Sequence, residues 1–260
     1  MSMHGVRAGR DSRLVVLTGA SRGLGLAIAE QLLARPGLLL TLSHRPDGSL
    51  EQRTRPDAAR LEQWAVDVTD VALPARLEAW LAAQAGQRFE RAILINNAAV
   101  LGRVGALEKM DAAALAQVFR ADLEAPAQLS AVFLRATRSW PIERRICNVS
   151  SAAGRTPLAG WAAYCAVKAG LDHLSRTMAL DERQLSNPAR IVSLAPGIID
   201  TDMQAAVRAS DASDFPDLAR FKEFKATGQL STPKDAAARL VAFLDRVDFG
   251  DQPVADVRSD

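Results

Sequence analysis

Residues 13–25 read RLVVLTGASRGLG. An apolar run of strand character passes straight into a turn carrying Gly19, Gly23 and Gly25, and apolar residues then recur at helical spacing as far as residue 35. A strand that turns through glycines into a helix opens a strand–helix–strand unit. Gly19 can adopt backbone angles closed to other residues and lets a ligand approach the chain. Gly23 and Gly25 permit close contact as the helix begins, and the free N–H groups of a helix N-terminus attract a pyrophosphate. Ser21, Arg22 and Leu24 complete the turn. Its spacing is G-x3-G-x-G rather than the G-x-G-x-x-G of the common dinucleotide fingerprint. A glycine turn alone can be purely structural, and its place directly after the first strand is what favours a nucleotide.

Beyond this unit the alternation continues. Short apolar runs at 13–18, 38–43, 61–66, 91–96, 144–150, 189–194 and 253–257 read as strands. Segments 23–35, 73–85, 111–139, 160–185 and 232–246 read as helices, and the charged, proline-broken stretch 48–60 is a doubtful one. Strands alternating with helices predict a parallel sheet covered on both faces, a doubly wound α/β fold. No linker or repeat divides the chain, so one domain over 13–260 is expected after a loose tail at 1–12. The polar segment 200–230 interrupts the alternation and is expected to be a loop covering a ligand.

Composition narrows the function classes. The chain has 260 residues, 48% of them hydrophobic, enough for a sizeable core, and a formal net charge of +2 that offers no nucleic-acid footprint. Cys147 and Cys165 form neither a disulfide framework nor a zinc site, and His4, His44 and His173 lack metal-ligand spacing. No apolar run has the length of a membrane helix, and MSMHGVRAGR lacks a signal-peptide core. The expectation is a soluble cytoplasmic protein with a small-molecule substrate and no metal, membrane or nucleic-acid partner.

The second strand ends LLLTLSHR. A dinucleotide site selective for NAD places an acid near this point to hold the ribose hydroxyls. Here His44 and Arg45 stand in its place, with Arg22 in the glycine turn, and a guanidinium fork suits a 2′-phosphate. NADP(H) is therefore the expected cofactor, against the alternative of a solvated arginine pair.

GWAAYCAVKAG, residues 160–170, holds the chain's single tyrosine and a lysine one helical turn on. Tyr164 and Lys168 at i and i+4 share a helical face. A phenol with an ordinary pKa of about 10 is a poor proton donor and acceptor near neutrality unless a neighbouring positive charge lowers it. In isolation, Tyr-x3-Lys is more often an exposed pair.

Taken together, these segments resemble the short-chain dehydrogenase/reductase family from about residue 13 to 257. TGASRGLG is similar to its cofactor turn, and DVTD (67–70) to the segment in which Asp67 and Val68 would meet the adenine. NNAA (96–99), with Asn97 and Ala98, resembles its NNAG, Ala99 replacing the usual glycine. Ser151, Tyr164 and Lys168 match its catalytic serine and YxxxK pair. APGIIDT (195–201) resembles the segment that closes on the nicotinamide, where Pro196 and Gly197 shape the turn and Ile199 and Thr201 would hold the carboxamide. The resemblance implies a single Rossmann-type domain with a parallel seven-stranded sheet, reversible hydride transfer to a carbonyl, and a homodimer. One departure stands out. RADLEAP (120–126) places Asp122 where the family usually has an asparagine that holds a proton-relay water. Asp122 could accept from that water, raising the pKa of Lys168, or be a helix-kink residue only.

A narrower resemblance is to sepiapterin reductase and bacterial benzil-type dicarbonyl reductases, carried by GWAAYCAVKAG, LAPGIIDTDMQ (194–204), FKATGQL (224–230) and the ending PVADVRSD. It implies a planar apolar pocket walled by Leu101, Trp161 and Met203, with Ser151 aligning the substrate oxygen. It also casts Asp256 as the anchor of a pterin's guanidine-like edge, a vicinal diketone being the alternative. Other NADP-dependent ketoreductases or alcohol dehydrogenases, and a non-catalytic NADP-binding regulator, share these motifs.

Overall fold

A computed structural model describes residues 12–54 and 59–258. The expected tail at 1–12 lies, apart from Ser12, outside the described residues. The sheet is built from β1 (Arg13–Thr18), β2 (Gly37–Ser43), β3 (Ala59–Ala65), β4 (Arg91–Asn96), β5 (Glu143–Val149), β6 (Arg190–Ala195) and β7 (Val254–Asp256). All strands are parallel, in the order β3-β2-β1-β4-β5-β6-β7. The chain first works outward from β1 to β3, then crosses back to β4 and continues the other way. The switch point between β1 and β4 opens a crevice at the carboxyl ends of the strands, where this class of sheet binds ligands.

Successive side chains of each strand point to opposite faces. Val15 and Leu17 join Leu39, Ile93, Ile95 and Val192 beneath α1 (Gly23–Leu33) and α8 (Pro233–Leu244). Leu14 and Val16 join Leu38, Leu40, Leu94 and Ile146 beneath α2 (Leu73–Gln84) and α4 (Ala125–Ala136). Because both faces are covered, the central strands are buried throughout, whereas β3 and β7, at the edges, are only partly so. The remaining helices are α3 (Ala112–Phe119), α5 (Ala162–Arg183), α6 (Asp202–Arg208) and α7 (Leu218–Ala226).

Two expectations are corrected. The helix anticipated over 111–139 is broken into α3, a π-helical turn at Arg120–Glu124, and α4. Pro126 has no N–H to give the carbonyl four residues back, so the α ladder cannot run unbroken through Asp122. The segment 200–230 is not a loop. It contains α6, whose first turn is capped by Thr201, and α7, folded over the crevice.

Candidate active site

A cleft of about 1250 Å³ runs along the carboxyl ends of the strands. That exceeds what one drug-sized ligand fills and leaves room for a dinucleotide and a substrate together. At its floor, Gly19 has φ +71, and a Cβ there would lie 2.8 Å from the Ala98 Cα. A Cβ on Gly25 would lie 2.0 Å from the Gly19 carbonyl oxygen, so the first turn of α1 packs directly on the glycine loop. Arg22, the N-cap of α1, provides no side-chain cap, and the first turn holds no acid. The N–H groups of this turn therefore remain available to an anion.

Asn97 fixes the switch point. Its amide donates to the carbonyls of Thr18 and Gly19 at 3.0 and 3.1 Å, while the Thr18 hydroxyl accepts the N–H groups of Asn97 and Ala98, both at 2.9 Å. Asn97 thus acts through the loop it braces, and it also lines the cleft.

At the end formed by β2 and β3, Asp67 and Val68 line the cleft as expected, joined by Ser43 and His44. Hydrogen bonds from the Thr69 N–H and hydroxyl, both 2.8 Å, hold the Asp67 carboxyl below the usual carboxylate range. Arg22 also lines the cleft, with its guanidinium 3.5 Å from Asp202. Arg45, next to His44, is exposed and is not among the residues that line the cleft. After Ser43 the chain passes through His44, which borders the cleft, to the short helical turn Gly48–Arg53.

Where β5 ends, Ser151, Tyr164 and Lys168 meet in the cleft wall. Ser151 is extended and its Oγ accepts the Ala153 N–H at 3.2 Å, leaving its proton free to donate. Tyr164 is 8% exposed and Lys168 2%. The Lys168 Nζ donates to the Val149 carbonyl at 3.2 Å and lies 5.4 Å from the Tyr164 ring centroid. Behind it the π-helical turn presents Asp122, fully buried, with Oδ2 3.3 Å from Nζ and Oδ1 accepting the Val100 N–H at 2.8 Å.

The charges in this corner set one another. Burial pushes the Asp122 carboxyl up, against the pull of Lys168. For Lys168 burial acts downward, but the negative charge of Asp122, with Tyr164 and Asp172, outweighs it and leaves the ammonium raised. Burial also pushes the Tyr164 phenol up, and Lys168 only partly offsets this because its charge is shared with Asp122. Lys168 lowers the phenol's pKa as expected, but burial, with Asp122 added to it, outweighs that effect and leaves the phenol raised.

Asp172 was missed in the sequence, although it continues the stripe of α5 that carries Tyr164 and Lys168. It is buried and accepts from the hydroxyls of Ser150 and Ser193, both at 2.6 Å, and from the Arg155 Nε at 3.0 Å. It thereby ties the ends of β5 and β6 to the loop that carries Ser151.

The other wall is aromatic. Trp161 stacks on Phe215 at 5.2 Å and meets Tyr164 and Phe221 edge-on at 5.5 and 5.3 Å. Leu101, Met203 and Trp161 line the cleft as expected, together with Pro196, Gly197, Ile199 and Thr201. Asp256 does not line it. Its carboxylate accepts a fork from Arg258, Nε at 2.8 Å and Nη2 at 2.7 Å, and Arg258 faces the cleft instead.

Among the described residues no group of acids, histidines or cysteines is arranged to hold a metal ion, and no helix is long and apolar enough to cross a membrane. The short chain dehydrogenase family model matches residues 13–212. The chain is 32% identical to a benzil reductase ((S)-benzoin forming) of Bacillus cereus, over 91% of this chain and 96% of that protein. It is 34% identical to a sepiapterin reductase of Rattus norvegicus, over 95% and 96%. The crystal structure of the KRED1-Pglu enzyme superimposes with a TM-score of 0.79 at 28% identity, covering 94% of this chain and all of that one. Sheet order, the glycine turn of β1 and the Ser151–Tyr164–Lys168 corner agree with this match, and the chain belongs to the short-chain dehydrogenase family of oxidoreductases.

Proposed function

We propose that the protein is an NADPH-dependent reductase of a vicinal dicarbonyl compound, with Tyr164 as the proton donor. The observation that carries this reading is the corner of the cleft wall where Ser151 and the buried Tyr164 meet Lys168, whose Nζ is 5.4 Å from the Tyr164 ring and 3.3 Å from Asp122. A phenol protonated at neutral pH can give its proton to a carbonyl oxygen as that oxygen gains charge, and a nearby ammonium eases the loss.

The residues present fit a dinucleotide. The cradle left by the missing Cβ atoms of Gly19 and Gly25, and the uncapped α1 N-terminus, suit a pyrophosphate. Arg22 and His44, with no acid at the end of β2, suit a 2′-phosphate. The nicotinamide, when bound, supplies the hydride. The chain's own residues do the rest. Ser151 Oγ donates a hydrogen bond to the substrate oxygen and orients it. Tyr164 gives up its proton, and Lys168 stabilises the phenolate that results. Asp122 keeps Lys168 charged and aimed, since its second oxygen is pinned by Val100. The aromatic wall excludes water, which strengthens each of these electrostatic effects.

Within this class the pterin reading needs an open carboxylate at Asp256, and Arg258 already occupies it. That favours a dicarbonyl. Following NADPH oxidation with benzil and sepiapterin side by side tests the reading, with Tyr164→Phe as control. Benzil turnover lost in Tyr164→Phe, with NADPH binding retained, is the expected result. Full activity in that variant sinks the mechanism. Exposed Leu180 and Leu185, on and just beyond α5, support a homodimer built on that helix, which sedimentation would register as twice the mass of one chain.

A further inference from the structure

The walls of the cleft carry charge that ketone reduction does not use. Arg258 lines the cleft from the end of β7, its stem against Gly197, where a Cβ would meet its Cδ at 3.4 Å. Its fork on Asp256 uses Nε and Nη2, so Nη1 has no partner among the described residues. The Asp256 side chain is 14% exposed and that of Arg258 52%, so the carboxylate sits behind and the guanidinium faces outward. The second cation is Arg220 on α7, which also lines the cleft. Its guanidinium rests 5.3 Å from the centre of the Phe224 ring, and it has no ion pair among the described residues. Arg220 is next in sequence to Phe221, whose ring is 5.3 Å from that of Trp161, itself 5.5 Å from that of Tyr164. Arg220 thus sits at the aromatic wall, and Arg258 lines the same cleft beside Gly197.

The acids of the cleft are engaged elsewhere. Asp214 is paired with Lys109, Asp202 lies 3.5 Å from Arg22, and the Asp211 carboxylate accepts the Ser213 N–H at 2.8 Å. Lys168 is matched by Asp122. Two guanidiniums on different elements, Arg258 and Arg220, keep donor groups without a partner among the described residues, while Asp211 keeps its negative charge at the same cleft. Guanidinium edges pair with carboxylates through directed, charge-assisted hydrogen bonds, and stacked or backed arginines lose little freedom in doing so.

We infer that the ketone this cleft takes carries a carboxylate, held by Arg258 and Arg220, so that a 2-oxo acid with an aromatic or bulky apolar side chain is preferred over a neutral diketone. The inference rests on the ketone-reductase reading of the cleft. In this arrangement Asp256 is a positioning residue that holds Arg258, and the strand end selects for an acceptor where a free carboxylate would select for a donor.

Phenylglyoxylate and its methyl ester present the same ketone with and without the charge. For the wild-type protein with NADPH, kcat/KM is expected to be at least tenfold higher for the acid. In Arg258→Met or Arg220→Met the ratio of acid to ester should fall tenfold or more, and Arg258→Lys, which keeps the charge without the fork, should fall between. Calorimetry with mandelate on the protein saturated with NADP+ gives a readout independent of turnover, and its Kd should weaken about tenfold in each Met variant. Ketones reduced with no preference for the acid, and a ratio unmoved in both variants, would overturn the inference and leave the reductase reading standing. Mandelate binding that depends on both arginines, with no ketone reduced, would uphold the anion site and remove the reductase reading. Neither binding nor reduction removes both.

Discussion

Asp122 Oδ2 stands 3.3 Å from Lys168 Nζ with both side chains out of solvent, and this pair decides how the only tyrosine in the cleft behaves. A neutral partner at this position would leave the whole ammonium charge acting on Tyr164. Burial is the largest cause of the phenol's upward shift; the Lys168 charge opposes it, and the Asp122 carboxylate adds to it.

The pH dependence follows from that sign. Reduction needs the protonated phenol, so kcat/KM should stay level through neutral pH and fall only as pH rises through the pKa of Tyr164, above the ordinary value of about 10. Asp122→Asn keeps an acceptor for the Val100 N–H but removes the negative charge. The phenol's pKa then drops, and the fall in reduction rate should begin about one unit lower in pH. Alcohol oxidation, which needs the phenolate, should improve near neutrality in the same variant. A pH–rate profile unchanged between the two proteins would show that Asp122 only fills space in the π-helical turn.

In the NADPH reading, cofactor choice falls to the basic side chains that border the cleft. Arg22 and His44 line it, and Arg45, exposed beside His44, does not. A hydrogen bond to a charged group contributes about 1.5–3 kcal/mol, so Arg22→Ser should weaken NADPH by roughly 10- to 150-fold. NADH binding should change little. Arg45→Ser should leave the ratio between the two cofactors within about twofold. Fluorescence titration with each nucleotide measures both, and equal loss of NADPH and NADH in Arg22→Ser would remove the 2′-phosphate assignment.

The contrast between His44 and Arg45 marks how far the sequence alone could be read. Strand and helix order was legible because apolar runs mark the strands, even in β5, where Glu143, Arg144 and Arg145 precede the run, and alternate with longer helical patterns. Spacing put Tyr164 and Lys168 on one face of α5, and the family resemblance added Ser151 to the corner. Side chains on turns were not: His44 and Arg45 are both exposed, and it takes the structure to show that His44 borders the cleft. The helix break at Asp122 was signalled by Pro126, though it takes the structure to show the turn widening and not simply ending. Asp256 was visible as an acid at a strand end, but its partner two residues later could be recognised only once both side chains were placed. Long-range satisfaction of a charge has no local signature, which is also why Asp172 and its bonds to Ser150 and Ser193 escaped notice.

Gly25 is more restrictive than its position one turn into a helix implies. A Cβ there would sit 2.0 Å from the Gly19 carbonyl and 2.5 Å from the Asn97 amide nitrogen. The first contact is with backbone, so the loop has to move. Gly25→Ala should lower unfolding stability by about 1–3 kcal/mol, the usual cost of forced overpacking, and weaken nucleotide binding in step. Urea unfolding with and without NADPH checks it: a variant as stable as wild type, and equally stabilised by the nucleotide, would mean that the loop is softer than its contacts indicate.

Far from the cleft, Glu182 near the end of α5 holds two arginines. Its Oε2 accepts the Arg144 Nη2 at 3.1 Å, the Arg138 Nη1 at 2.9 Å and the Ala189 N–H at 2.7 Å. Arg144 is fully buried and Glu182 nearly so. Burial pushes the glutamate up, but the bonds from Arg138 and Ala189 outweigh it and hold it below the usual carboxylate range. Removing one partner of a buried pair strands the other, so Glu182→Ala should cost about 3–5 kcal/mol at neutral pH. The pH dependence runs in one direction. A carboxyl whose folded pKa is depressed stabilises the fold above its ordinary pKa of about 4.3, and that contribution disappears as pH falls through the folded value. Urea unfolding of wild type and Glu182→Gln should therefore differ most at pH 7 and converge below about pH 4. A difference that is constant across this range would assign the loss to packing at the base of α5 and not to charge. Because α5 also carries Tyr164 and Lys168 at its other end, the kcat/KM of the Gln variant at pH 7 and 25 °C should stay within about twofold of wild type, provided that the helix remains folded.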